Sequence, residues 1–114
     1  MIDGDAEFVI TGMPEDHSTS VIDATIRVSL SGIVGADETS AVVGRPPIEV
    51  DVGVAKPDVM WLVSADQVAK FGHTFRQVLA QLRAKAPNIA RIHLFYAGPT
   101  PCAIALGRVI NPRM

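Results

Sequence analysis

Apolar and polar side chains alternate most cleanly between residues 22 and 32. Ile22, Ala24, Ile26, Val28 and Leu30 fall on one side, and Asp23, Thr25, Arg27, Ser29 and Ser31 on the other. A period of two with one polar face predicts a half-exposed β-strand. Ile22, Ile26 and Leu30 also sit four apart, as a helix would place them, but the β-branched residues favour the strand. Residues 6–12 predict an earlier strand. Ile48, Val50, Val52 and Val54 alternate again and predict a third. Lys56-Pro57-Asp58 then separates that run from the short apolar segment 59–63, which reads as a strand buried on both faces. Residues 90–97 predict a last strand, buried among apolar neighbours.

Helical spacing begins at Ser64. Ser64-Ala65-Asp66-Gln67 fits the capping box, a hydroxyl followed three residues later by Gln. Val68, Phe71, Phe75, Val78, Leu79 and Leu82 form the buried stripe, while Asp66, Lys70, Gln77, Gln81 and Lys85 face water. Gly72 inside this helix costs about 1 kcal/mol against Ala and is expected to allow close packing on the sheet. Pro87-Asn88 ends the helix, which spans Ser64 to Ala86. A second helix is predicted over 101–110, opened by Pro99-Thr100-Pro101 and closed by Asn111-Pro112. Residues 12–20 and 33–47 are rich in turn formers; the second stretch, with Gly35, Gly44, Pro46 and Pro47, reads as a long loop. Strands interleaved with helices make an α/β unit. Its final strand-to-helix connection sets a helix N-terminus at the carboxyl edge of the sheet, where open α/β sheets bind ligands and where anions are favoured.

Composition narrows the class. A chain of 114 residues, 48% hydrophobic and 19% charged, is the size of one domain with one small core. No apolar run approaches the roughly 18 residues that span a bilayer, and the acidic start (Asp3, Asp5, Glu7) lacks the basic opening of a secretory signal. The single cysteine, Cys102, excludes an internal disulfide framework and fits a reducing cytoplasm. The net charge of −2 hides an asymmetry. Residues 1–55 carry two basic side chains, Arg27 and Arg45, against ten acidic ones, whereas residues 56–114 carry eight basic against two acidic, Asp58 and Asp66. Two readings follow: solvated faces that attract each other, or a basic half that faces an anion such as a phosphodiester. Duplex nucleic acid fits less well, because the basic residues are scattered and Trp61 and Tyr96 are the only large amphipathic aromatics.

The chemistry-bearing residues do not cluster. His17, His73 and His93 fall in a loop, a helix and a strand, without metal-ligand spacing. His73 reads as a structural or surface residue, and His93 as a satisfied core histidine. Cys102 lies in the first turn of the last helix, where a thiol can be activated; a small enzyme using Cys102 with His93 or His17 is therefore an alternative, beside a buried cysteine that fills the turn. Glu15-Asp16 and Asp37-Glu38 read as solvated turn residues. Gly98-Pro99-Thr100-Pro101 lacks the Lys-Ser/Thr ending of a P-loop and is not a GxGxxG fingerprint. No catalytic set, metal site or cofactor motif emerges.

The tail carries a family likeness. Ile92-His93-Leu94-Phe95-Tyr96-Ala97-Gly98-Pro99, then Ala103-Ile104-Ala105-Leu106-Gly107-Arg108 and Asn111-Pro112, resembles the C-terminal signature of SAVED domains, roughly IHLF-x-A-x-P, small residues, LG-R/H and Asn-Pro. The likeness covers 89–112 most closely and extends over 56–88, where Ser64 to Ala86 resembles the family's long helix. SAVED domains are ligand-sensing parts of bacterial anti-phage effectors in CBASS and some type III CRISPR systems. The resemblance implies a Rossmann-like, CARF-like half-domain with a mixed sheet, the second of two fused halves, ending before the family's last strand. It implies a non-enzymatic, cytoplasmic sensor that binds a cyclic oligonucleotide, oligomerises and activates a fused or partner effector. No duplex nucleic acid and no membrane contact are expected through this segment. A purely structural oligomerisation domain is the further alternative. Geometry names the expected pocket wall: the helix starts Ser64-Ala65 and Pro99-Thr100-Pro101, with Trp61 and Lys56 beside them.

Overall fold

The alternating run of residues 22–32 becomes the middle of a four-stranded sheet. The computed structural model describes residues 8–55, 57 and 64–110. In chain order its elements are β1 (Phe8–Thr11), β2 (Asp23–Ser29), α1 (Ala36–Val43), β3 (Ile48–Val54), α2 (Ala65–Lys85), β4 (Arg91–Ala97) and α3 (Thr100–Ile110). Strand order is β1-β3-β2-β4. Strands β3, β2 and β4 are parallel, and β1 is antiparallel to β3. Parallel neighbours need a crossover, and each crossover here contains a helix: α1 between β2 and β3, α2 between β3 and β4. The result is a mixed α/β sheet of the Rossmann-like kind. The expected strand at 59–63, with Trp61 and Lys56, lies outside the described residues, as does the Asn111-Pro112 stop.

Register aligns the apolar rows. Ile26 lies beside Val50 and Leu94, and Val28 beside Val52 and Tyr96. Ala24, Ile26, Val28, Val50 and Val52 are completely buried on this face. Helix α2 covers it with the predicted stripe, burying Phe71, Phe75, Val78, Leu79 and Leu82, while α3 adds Cys102 and Leu106. Phe71 links the layers, its ring centroid 6.0 Å from Phe8 of β1 and 6.1 Å from Phe75. Burying each such side chain contributes about 1.5–3 kcal/mol.

The opposite face corrects the sequence reading. Its polar row was expected in water, yet Thr25 is 1% and Arg27 4% exposed. Over Arg27 the cover includes α1, which lies within the stretch read as a loop and meets the guanidinium through Thr39. Gly35 and Gly44, taken there as loop markers, are the two ends of this helix. The Gly35 N–H donates to Glu38 Oε1 at 3.1 Å, and Gly44 closes the last turn at φ 75°. Helix α1 buries only Thr39, so it leaves no apolar stripe for periodicity to detect. Gly12 is a second required glycine: at φ 87° a Cβ there would lie 2.0 Å from the Glu49 carbonyl oxygen.

Arg27 holds this second layer together. Its Nε and Nη2 donate to Asp51 Oδ1 and Oδ2 at 2.8 and 3.0 Å. Its Nη1 donates to Glu49 Oε1 at 2.7 Å and to Thr39 Oγ1 at 3.0 Å. One guanidinium thus ties β2 to β3 and to α1. The buried-strand expectation for 90–97 also changes. Strand β4 is an edge strand whose residues 92–97 are half-buried, so His93 lies outside the core.

The Arg27 network generates a pH-dependent prediction. Its hydrogen bond to Glu49 holds that carboxyl below the usual range. Below about pH 4 the unfolded chain takes up this proton more readily than the native one, so the network's contribution is present above that range and lost as pH falls through it. Arg27→Met is expected to cost about 3 kcal/mol near neutral pH and to flatten the acid limb of the stability curve. Urea denaturation from pH 3 to 7 measures both; an unchanged acid limb would refute the assignment.

Candidate functional site

Helices α2 and α3 return on the same side of three parallel strands, so both begin at the carboxyl edge. The predicted capping box opens α2. Ser64 N–H donates to Gln67 Oε1 at 3.0 Å, and Gln67 N–H donates to Ser64 Oγ at 3.3 Å. The start of α3 is built differently. The Tyr96 hydroxyl donates to the Pro99 carbonyl, and burial raises its pKa well above the phenol range, keeping it a donor. The ring folds back so closely that a Cβ at Gly98 would lie 2.6 Å from the hydroxyl oxygen. The same carbonyl accepts the N–H groups of Cys102 and Ala103 at 3.1 and 3.2 Å. Pro101 has no N–H to offer. The first-turn amides expected to face a ligand are therefore largely engaged within the turn.

Between the two helices runs a groove of about 800 Å³. Ser64 and Ala65 line it from α2 and Pro101 from α3, so three of the expected wall residues meet there. Pro99 and Thr100 do not line it, and Lys56 and Trp61 lie outside the described residues. From Ser64 to Arg76 the groove follows α2 for about 18 Å, at 1.5 Å rise per residue. Gly72 lies along it, where an added Cβ would meet Ala105 Cβ at an ordinary 3.8 Å. The expected packing of Gly72 on the sheet is thus replaced by an approach to α3. Val68 and Val109 add apolar surface.

The sequence reading missed the cationic part of this groove. Arg76 and Arg108 line it, with His73 beside them, and no carboxylate among the described residues does. Arg76 stands four residues after Gly72, and Arg108 three after Ala105, so both project from the groove-facing sides one turn beyond the close approach. An arginine at that spacing from a small residue on each helix is a signal present in the sequence. Neither arginine has an ion-pair partner among the described residues. Lys70 pairs instead with Asp66 at 2.9 Å on α2, and on the far layer Glu49 pairs with Arg27 and Arg45. Arg91–Asp23, at 2.8 Å, is the ion pair that joins the acidic and basic halves among the described residues.

Cys102 does not meet His93 or His17. It is completely buried on the core face, whereas His93 aligns with Thr25 on the opposite face of the sheet. His17 lies in the loop whose next residue, Ser18, bonds the Lys85 carbonyl at the other end of α2. The expected pairing of Cys102 with His93 or His17 is not assembled. Among the described residues no group of histidine, cysteine and carboxylate side chains could hold a metal ion, and no helix is long and apolar enough to cross a membrane.

Comparison with known families finds a match. The model for a "SMODS-associated and fused to various effectors sensor domain" covers residues 3–114. No curated protein matches the chain.

Two substitutions on α2 test this geometry in opposite directions. Ser64→Ala removes the cap and is expected to lower stability by about 1 kcal/mol. Gly72→Ala has room for its methyl beside Ala105 and should raise stability by up to about 1 kcal/mol. Thermal unfolding followed by circular dichroism reads both, and a lower melting temperature for Gly72→Ala would mean that the helices pack more tightly than described.

Proposed function

The chain belongs to the SAVED family of sensor domains, and from that premise we propose that it is one lobe of a sensor for a cyclic oligonucleotide. The ligand enters the α2–α3 groove from the carboxyl edge. Ser64, Ala65 and Pro101 wall the entrance, Pro99 and Thr100 shape the turn behind it, and Lys56 and Trp61 stand nearby in sequence. The lobe works beside a sister lobe as the second, CARF-like half of the sensor. Binding drives self-association and switches on an attached effector in cytoplasmic anti-phage defence, of the CBASS or type III CRISPR kind. Catalysis belongs to the effector.

The single observation that carries this reading is the lining of the groove: arginine and apolar side chains, with no carboxylate among the described residues. A cyclic oligonucleotide presents both complements, phosphodiesters for the cations and flat bases for the apolar surface. Its volume also lies within the several hundred Å³ usual for small-ligand sites. The separation of Cys102 from His93 and His17 removes the chief argument for an enzyme.

Calorimetric titration of the intact protein with cyclic di-, tri- and tetranucleotides tests the proposal. At least one is expected to bind and to shift the protein to a larger species in analytical ultracentrifugation. Failure of every ring to bind would overturn the sensor reading; binding without a change of mass would overturn the self-association step.

A further inference from the structure

We propose that Arg76 and Arg108 form a phosphate clamp across the α2–α3 groove, and that side chains rather than helix-start amides hold the ligand's phosphates in this lobe. The inference rests on the sensor reading and specifies which atoms carry its chemistry.

The start of α3 offers little to an anion. The Cys102 and Ala103 amides donate to the Pro99 carbonyl, Pro101 has no donor, and the Tyr96 hydroxyl is turned onto the same carbonyl. At the start of α2, the capping box engages the Ser64 and Gln67 amides. The full positive charges that line the groove belong to side chains. Arg76 and Arg108 supply it from facing helices, each one turn beyond the Gly72–Ala105 approach, with His73 alongside. Both are exposed, and no carboxylate among the described residues neutralises either. A guanidinium presents paired N–H donors that match two phosphate oxygens at once. Two such groups from opposite walls can hold one phosphodiester or two successive ones. The apolar surface of Val68, Ala105 and Val109 lies beside them for a sugar or base.

The clamp also has a mechanical consequence. The two arginines belong to different helices, so a bridging phosphate fixes α3 against α2. Without an anion, their like charges favour separation. Ligand binding thereby acts on the angle between the helices, a movement that a partner surface can read.

The test compares wild type, Arg76→Gln, Arg108→Gln and the double variant, with Arg83→Gln as a control on the same helix outside the groove. Each is titrated between 50 and 200 mM salt with the panel of cyclic oligonucleotides and, separately, with inorganic tripolyphosphate. Each groove variant is expected to weaken the ring that binds best by about tenfold, and to reduce the slope of log affinity against log salt by about 0.7 per lost phosphate contact. The control should change neither quantity. Wild-type ring binding with unchanged affinity and slope in the groove variants would overturn the clamp while leaving the sensor reading intact. Tripolyphosphate binding lost in the double variant, with no ring bound by wild type, would keep the anion site and overturn the cyclic oligonucleotide reading. If wild type bound neither probe, both would fall.

Discussion

Strand β2 is enclosed on both faces by different physics, and the other elements are arranged around that requirement. One face is apolar and needs only matching apolar rows, which β3, α2 and α3 provide through Val50, Val52, Phe71, Phe75 and Leu106. The other carries a guanidinium. A charge cannot be buried beside β2 unless its donors are satisfied, and Asp51, Glu49 and Thr39 satisfy them from a strand and a helix that would otherwise share little contact. The apolar side leaves α2 and α3 free to lie next to each other, and their shared boundary is the groove.

Legibility in the sequence followed the strength of the local signal. The α2 stripe, its capping box and the alternating strands β2 and β3 combine strong periodicity with suitable end residues, and they stand where the pattern puts them. Helix α1 escaped because it is held by polar contacts: Thr39 on Arg27 and Glu38 on Gly35. The same blind spot turned the buried row of Thr25 and Arg27 into a water-facing one. Periodicity records where apolar residues lie, whereas burial of a polar residue depends on partners far away in sequence, here 22 and 24 residues distant at Glu49 and Asp51. The edge position of β4 was likewise invisible, since an edge is a property of strand order.

The candidate site was half visible for a related reason. Helix starts are local features, and Ser64, Ala65 and Pro101 do converge. What the local view could not supply was the engagement of the amides at α3, which share the Pro99 carbonyl with the Tyr96 hydroxyl. Nor could it pair Arg76 with Arg108, because that juxtaposition comes from the packing of two helices on one sheet. The family likeness in the tail, by contrast, was a direct reading of residues 92–112, and the family match over 3–114 agrees with it.

The unequal distribution of charge between the two sides of the sheet affects more than contacts. The α1 side presents Asp37 and Glu38 to solvent, while the helical side presents Arg76, Arg83 and Arg108. Among the described residues this sets a charge difference between the two faces, which the Arg45–Glu49 and Lys70–Asp66 pairs do not cancel. On the proposed reading, a polyanion nearing such a surface would be turned toward the cationic side before contact. The screening length in ordinary saline is about 8 Å, so such guidance acts only within about the last nanometre of approach and weakens as salt is added.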